Sequence, residues 1–183
     1  MALPQLKEEF YTTDYIYALP EGERAELIDG QIYNLASPNR KHQKLIGELY
    51  RKIADHIDSQ DGSCETYIAP FAVFLNEDIY TYVEPDISVI CDPKKLTDKG
   101  CNGAPDWVVE VVSPSSKQMD YMIKLFKYQN AGVREYWIVD PDKSRVLVYH
   151  FELETIEEYT LKDSVPVGIF ESLSIDFSQL SMG

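Results

Sequence analysis

The sequence predicts one α/β domain in which helices pack on a mixed β-sheet, and three patterns predict it. An Asp-Gly hairpin, followed later by two segments rich in β-branched and aromatic residues, gives antiparallel pairing. An apolar strand at residues 107–112 leads into a helix and then into a second apolar strand at 135–139, which is a strand–helix–strand crossover. A long amphipathic helix nearer the N-terminus covers one face of that sheet. With 183 residues, 44% hydrophobic and 12% aromatic, the chain suits one sizeable core, and no repeat, low-complexity tract or linker divides it.

In chain order, residues 1–10 form an N-terminal extension with acidic Glu8 and Glu9 and no apolar signal core. Ala25-Glu26-Leu27-Ile28, Asp29-Gly30 and Gln31-Ile32-Tyr33-Asn34-Leu35 then read as a tight hairpin, because Asp-Gly supplies the positive φ angles of a type I′ turn. Its first strand carries Glu26. Leu45, Ile46, Leu49, Ile53 and Ile57 fall at helical spacing over residues 39–57, with His42 toward the inner face. Residues 66–75 and 83–91 read as strands separated by the polar Asn76-Glu77-Asp78 turn. On the second, a period of two places Glu84, Asp86 and Ser88 on one face and Val83, Pro85, Ile87 and Val89 on the other. Pro85 marks a strand start, a bulge or an edge, since it has no N–H for the ladder.

After a loop at 93–105 comes the strand that holds Glu110. Ser115 with Gln118 makes a capping-box pattern opening the next helix, which runs to Asn130-Ala131 and stops at Gly132. Asp120, Lys124 and Tyr128 lie four apart on one face of it, and Met122, Leu125, Phe126 and Gln129 mark its other sides. The strand at 135–139, a turn at Asp140-Pro141-Asp142-Lys143 and a strand at 145–151 follow. Glu152, Glu154, Glu157, Glu158 and Asp163 belong to a solvent-exposed hairpin.

Glu110 is the residue that asks a chemical question. A carboxylate inside an apolar strand loses hydration worth several kcal/mol unless a cation or donor compensates, so it requires a metal ion or a lysine. Lys124 is the candidate lysine. Cys64, Cys91 and Cys101 show no Cys-x-x-Cys spacing, and His42, His56 and His150 are scattered, so reduced thiols are expected and no zinc site. The net charge of −14 opposes a long non-specific grip on nucleic acid, although Arg40, Lys41, Lys44, Arg51, Lys52, Lys117, Lys124 and Lys127 can form a small basic face. No apolar run reaches the roughly 20 residues that span a bilayer, and a cytoplasmic protein is expected. P-loop, nucleophile-elbow and His-Glu-x-x-His motifs are absent from the sequence.

Glu26-Leu27-Ile28-Asp29-Gly30, His42, Glu84-Pro85-Asp86, Val109-Glu110-Val111-Val112-Ser113-Pro114-Ser115, Asp120 with Lys124 and Tyr128, and Gly132-Val133-Arg134-Glu135-Tyr136-Trp137 occur in an order that resembles the Uma-type restriction endonucleases of the PD-(D/E)XK nuclease superfamily. The resemblance spans roughly residues 10 to 180. It implies a restriction-endonuclease-like core and a Mg²⁺- or Mn²⁺-dependent DNA endonuclease. Asp86, Glu110 and the main-chain carbonyl of Val111 would hold the ion, oxygen donors that suit such a cation. The superfamily lysine would stand at position 112, which is Val112 here. In the resembling group it comes from the following helix, where Lys124 matches.

Lys124 would orient the attacking water or help deprotonate it. Glu26 would complete the cluster through a metal-bound water or as ligand to a second ion, and His42, Asp120 and Tyr128 are outer candidates for orienting Lys124 or touching phosphate. DNA is the expected substrate, and a homodimer is expected because cutting both strands commonly needs two sites. Two other readings stand beside this one: a degenerate nuclease fold acting as a binding or assembly module, and a metal-dependent hydrolase of small phosphoesters.

Overall fold

A computed structural model describes residues 10–180 apart from Glu77 and Ser115. The short helix α1 (Thr13–Tyr17) precedes strand β1 (Ala25–Ile28) and β2 (Gln31–Asn34), which pair antiparallel across Asp29 and Gly30. Both turn residues have positive φ, 50° and 76°, as the Asp-Gly pair predicts. Helix α2 (Arg40–Asp58) is capped by the Asn39 side chain, which accepts from the His42 N–H.

Strands β3 (Glu65–Ile68) and β4 (Val73–Phe74) replace the single strand expected at 66–75. Pro70 lies between them and cannot continue a ladder. β5 (Ile87–Ile90) is shorter than the 83–91 expected, because the chain enters it only after Pro85. The loop expected at 93–105 instead contains β6 (Leu96–Thr97) and β7 (Gly100–Asn102), which join β4 in a three-stranded sheet. Such two- and three-residue strands exist through their partners, so no local pattern announces them.

β8 (Trp107–Val111) carries Glu110. The following helix begins with π-helical turns at Met119–Lys124 and becomes the α-helix α3 (Leu125–Ala131), closed by Gly132 at φ 92°. The Ser115 half of the expected capping box lies outside the described residues, as do residues 1–9 of the expected extension. β9 (Glu135–Asp140), β10 (Arg145–His150), the exposed β11 (Thr155–Thr160) and the small pair β12 (Ser164–Pro166) and β13 (Ser174–Asp176) complete the chain.

The central sheet has the order β11-β10-β9-β8-β5-β3; β8 and β9 run parallel and the other neighbours antiparallel. That is the mixed sheet predicted by hairpins flanking one crossover. Its strands separate two cores, as the period of two requires. Trp107, Val109 and Val111 face Leu45, Ile46, Leu49 and Ile53 of α2, with Phe177 and Leu180 from the C-terminus. Val108 and Val112 turn the other way, toward Tyr128, Tyr136 and Ile138. Glu110 shares the parity of Val108 and therefore faces the helix that carries Lys124.

The expectation of reduced thiols fails for two of the three cysteines. Glu65 of β3 pairs with Ile90 of β5, so Cys64 and Cys91 are the next opposed positions, and they form a disulfide. Cys101 is buried and free. Among the described residues no helix is long and apolar enough to cross a membrane.

Candidate active site

The register of β5 against β8 opposes Ile87 to Val109, which brings the next residues outward, Asp86 and Glu110, together at the strand ends. They interlock through the backbone: the Val111 N–H donates to Asp86 Oδ2 at 2.8 Å, and the Asp86 N–H to Glu110 Oε2 at 3.3 Å. These bonds fix both carboxyl groups without using a second side chain. Asp86 stays partly exposed to the cleft, with 17% of its side chain accessible, whereas Glu110 is buried.

The ammonium reaches the site. Lys124 Nζ lies 2.9 Å from Glu110 Oε1 and 2.9 Å from Glu26 Oε1, with Asp120 Oδ1 at 3.9 Å, and 5% of the side chain is exposed. The Tyr128 hydroxyl donates to the same Glu110 oxygen at 2.8 Å. Asp120, Lys124 and Tyr128 are all buried, while Met122 and Phe126 on the opposite side are 63% and 59% exposed. The helix thus turns Asp120, Lys124 and Tyr128 inward, because the sheet face beneath it carries a buried carboxylate among its apolar residues. Val112, two residues beyond Glu110, is buried in the apolar cluster on that face.

Glu26 is fully drawn in. All four residues of β1 are buried, and the Glu26 carboxylate accepts from Lys124 and from the Glu84 N–H at 2.9 Å. His42, from the first turn of α2, places Nε2 2.7 Å from the Val111 carbonyl oxygen and 3.4 Å from Asp86 Oδ2. Every side chain singled out from the sequence therefore lines one cleft or lies directly beneath it. The cleft, of about 580 Å³, runs between the β2–α2 connection and Ser113, Pro114 and Ser116 and is floored by Asp86, Glu110 and Lys124.

Arg24 was not among the expected site residues. Its guanidinium pairs with Glu84, whose other oxygen accepts from the Tyr82 hydroxyl at 2.6 Å, and both Arg24 and Glu84 line the cleft. The signal is its spacing: Arg24 precedes Glu26 by two residues on an extended segment and so shares its side.

The electrostatics follow from four carboxylates set against one lysine. Burial raises the Glu110 carboxyl well above its ordinary range, against the pull of Lys124, and the neighbouring carboxylates Asp86, Asp120 and Glu26 add to the rise. Asp120 is raised to about 6, again chiefly by burial. Burial opposes the charge on Lys124, but Glu110, Glu26 and Asp120 outweigh it and hold the ammonium well above its usual value. His42 is raised too, since Asp86 and the Val111 carbonyl together exceed the effect of its burial. Each shift has the same meaning: the cluster takes up positive charge more readily than its parts would in water.

Among the described residues no three His, Cys, Asp or Glu side chains form a ready-made metal cage. What the site offers is two carboxylates on adjacent strands and a main-chain carbonyl at an open cleft. That donor set fits Mg²⁺, which is usually bound through one or two carboxylates and keeps several waters.

The sheet and its crossover helix define a mixed α/β domain whose cleft gathers carboxylates around one lysine. Residues 8–179 match the Uma2 family, described as "putative restriction endonuclease", and the chain belongs to that family. The chain is 31% identical over 130 residues to the uncharacterized protein slr1290 of Synechocystis, covering 70% of this chain and 66% of that one, just under two thirds. It is 27% identical over 130 residues to a second uncharacterized Synechocystis protein, sll1609, covering 69% of this chain and 72% of the relative. A crystal structure described as a putative nuclease of the DUF820 group from Anabaena variabilis superposes with a TM-score of 0.74 over 91% of this chain and 95% of that one. Its sequence identity is 24%, so this likeness speaks for the fold.

Proposed function

We propose that this chain is a Mg²⁺- or Mn²⁺-dependent endonuclease that hydrolyses DNA phosphodiester bonds in the cleft floored by Asp86 and Glu110. The observation that carries the reading is the surplus of carboxylate over ammonium. Glu26, Glu110 and Asp120 converge on Lys124, and a fourth carboxylate, Asp86, stays partly exposed beside His42. A divalent cation there balances the cluster and offers positive charge to a phosphate, which would otherwise be repelled by so acidic a surface. When bound, the ion polarises the phosphate and lowers the pKa of an attacking water.

The protein's own groups do the remaining work. Asp86, Glu110 Oε2 and the Val111 carbonyl would hold the cation, and the bonds from the Val111 and Asp86 N–H groups keep those carboxylates aimed before it arrives. Lys124, locked by Glu26 and Glu110, keeps one fixed positive charge beneath the reacting phosphate. Tyr128 holds Glu110 Oε1 and so leaves Oε2 toward the cleft. Arg24, Asn34, Asn39 and Gln43 on the walls are donors for the DNA backbone, and a homodimer would supply the second site for the opposite strand.

The test is plasmid cleavage with Mg²⁺ or Mn²⁺, with Asp86→Ala, Glu110→Ala and Lys124→Ala each abolishing it. Cutting that persists in all three variants would assign the activity elsewhere. Calorimetry supplies the second measurement: wild type should bind the divalent ion at millimolar concentration and Asp86→Ala should not. Absence of binding to the wild type would replace the enzyme with a binding or assembly module.

A further inference from the structure

His42 contacts both of the atoms that this site would present to a cation from the α2 side. Its Nε2 lies 2.7 Å from the Val111 carbonyl oxygen and 3.4 Å from Asp86 Oδ2. A Mg²⁺ ion sits about 2.0–2.1 Å from each oxygen ligand, so an ion that approached those two oxygens from that side would have either to take the imidazole as a ligand or to displace it. We propose that His42 is a placeholder that occupies the metal seat between Asp86 and the Val111 carbonyl and must swing away for a divalent cation to bind, so that ring and ion compete for the same oxygens. The inference rests on the metal-dependent reading of the cleft.

The alternative is that His42 is itself a ligand, and the structure distinguishes the two. A ligating imidazole presents a bare nitrogen to the ion and almost always donates its other N–H to a carboxylate or carbonyl, which fixes the ring. His42 Nδ1 is buried and has no hydrogen-bond partner among the described residues. Nε2, facing a carbonyl oxygen and a carboxylate, is placed as a donor rather than as a lone pair. The ring is thus anchored at the end that points into the seat and unanchored at the end that a ligand would need to have fixed.

The backbone supports a ring that turns on a fixed base. The Asn39 cap accepts from the His42 N–H at 3.0 Å, so Cα of His42 is held at the start of α2, and motion is left to the side-chain torsions. The cleft beside it, walled by Asn39 and Gln43 from the same helix end, is where the displaced ring has space. Without divalent ion, His42 provides Asp86 with a polar neighbour and keeps the open carboxylate from facing the cleft alone.

The experiment is calorimetric titration of Mn²⁺, and separately Mg²⁺, into wild type, His42→Ala, His42→Asn and Asp86→Ala, with thermal unfolding confirming that each variant is folded. Losing one hydrogen-bonded competitor should tighten binding by roughly tenfold in both His42 variants. The His42 imidazole resonances of the wild type should shift on adding Mg²⁺, reporting loss of the Val111 contact. Weaker binding in the His42 variants would make His42 a ligand, and equal binding would show that it does not compete; either result overturns the placeholder while leaving the metal site in place. No binding to wild type or to either His42 variant would instead overturn the metal-dependent reading and this inference with it. The two His42 variants differ in size and polarity, so agreement between them separates the missing Nε2 donor from a packing effect.

Discussion

Removing the Lys124 ammonium should destabilise the protein by about 3–5 kcal/mol, the cost of breaking a buried pair and leaving its partners uncompensated. The magnitude follows from the contacts: Nζ makes two bonds of 2.9 Å, to Glu26 and Glu110, in a place where almost no side-chain surface meets water. Lys124→Met keeps the length and apolar stem of the side chain, so cavity formation contributes little and the loss reports the charge. The folded-state pKa of Lys124 is raised above its ordinary 10.5, so its contribution is fully present below that value and is lost only as pH rises through the higher folded one. Urea unfolding at pH 8 in chelator therefore measures the whole effect. Glu110→Gln in the same background should recover part of the loss, because the carboxylate left unpaired is then neutral. A cost below about 1 kcal/mol for Lys124→Met, or no recovery in the double variant, would refute the idea that this ammonium balances the buried carboxylates.

Other expectations follow from the same structure. Asp120, at about 6 in the folded protein against an ordinary 3.8, favours folding when protonated; that contribution is complete below 3.8 and lost as pH rises through 6. The stability of Asp120→Asn relative to wild type should therefore rise by about 2 kcal/mol between pH 4 and pH 7 in metal-free buffer, and a flat difference would deny the shift. A Cβ at Gly168 would lie 2.6 Å from the His150 ring and 2.9 Å from the Glu135 carboxylate, so Gly168→Ala should lower stability by about 1–3 kcal/mol in denaturant titration. Reduction of Cys64–Cys91, which closes a loop of 27 residues, should lower stability by about 3 kcal/mol, read as a drop in unfolding midpoint with reductant present; an unchanged midpoint would show that the bond does not constrain the unfolded chain.

The parts of the site that were legible in the sequence are those set by short-range geometry. Asp29-Gly30 fixes the hairpin through backbone sterics, and the period of two places Glu110 opposite the parity of the apolar residues beside it. Asp120, Lys124 and Tyr128 share a face through spacing, and that face is the one that turns inward. Glu26 was less legible: its strand could have faced water, and only the packing of β1 beneath the cleft makes it a buried partner of Lys124. The disulfide was hidden for a related reason. Cys64 and Cys91 become neighbours only through the β3–β5 register, which depends on where Pro70 and Pro85 interrupt the strands. β6, β7, β12 and β13 are too short to carry a pattern, and their existence is a tertiary property. His42 was legible as an inward helical residue, but its contact with the Val111 carbonyl was not, since that depends on how α2 lies across the end of β8.

The π-helical turns at Met119–Lys124 couple the number of residues in that segment to the charge of the cleft. π-turns hold one more residue per hydrogen-bonded loop than α-turns, and they recur at functional sites. Deleting one residue between Asp120 and Lys124 would allow an ordinary α-helix, but it would rotate one of the two away from the sheet by about 100°. The helix would gain regularity while the cleft lost either its fixed cation or the acid beside it. Length, and not only residue identity, is thus a variable that sets which charges a chain of this fold presents in its cleft.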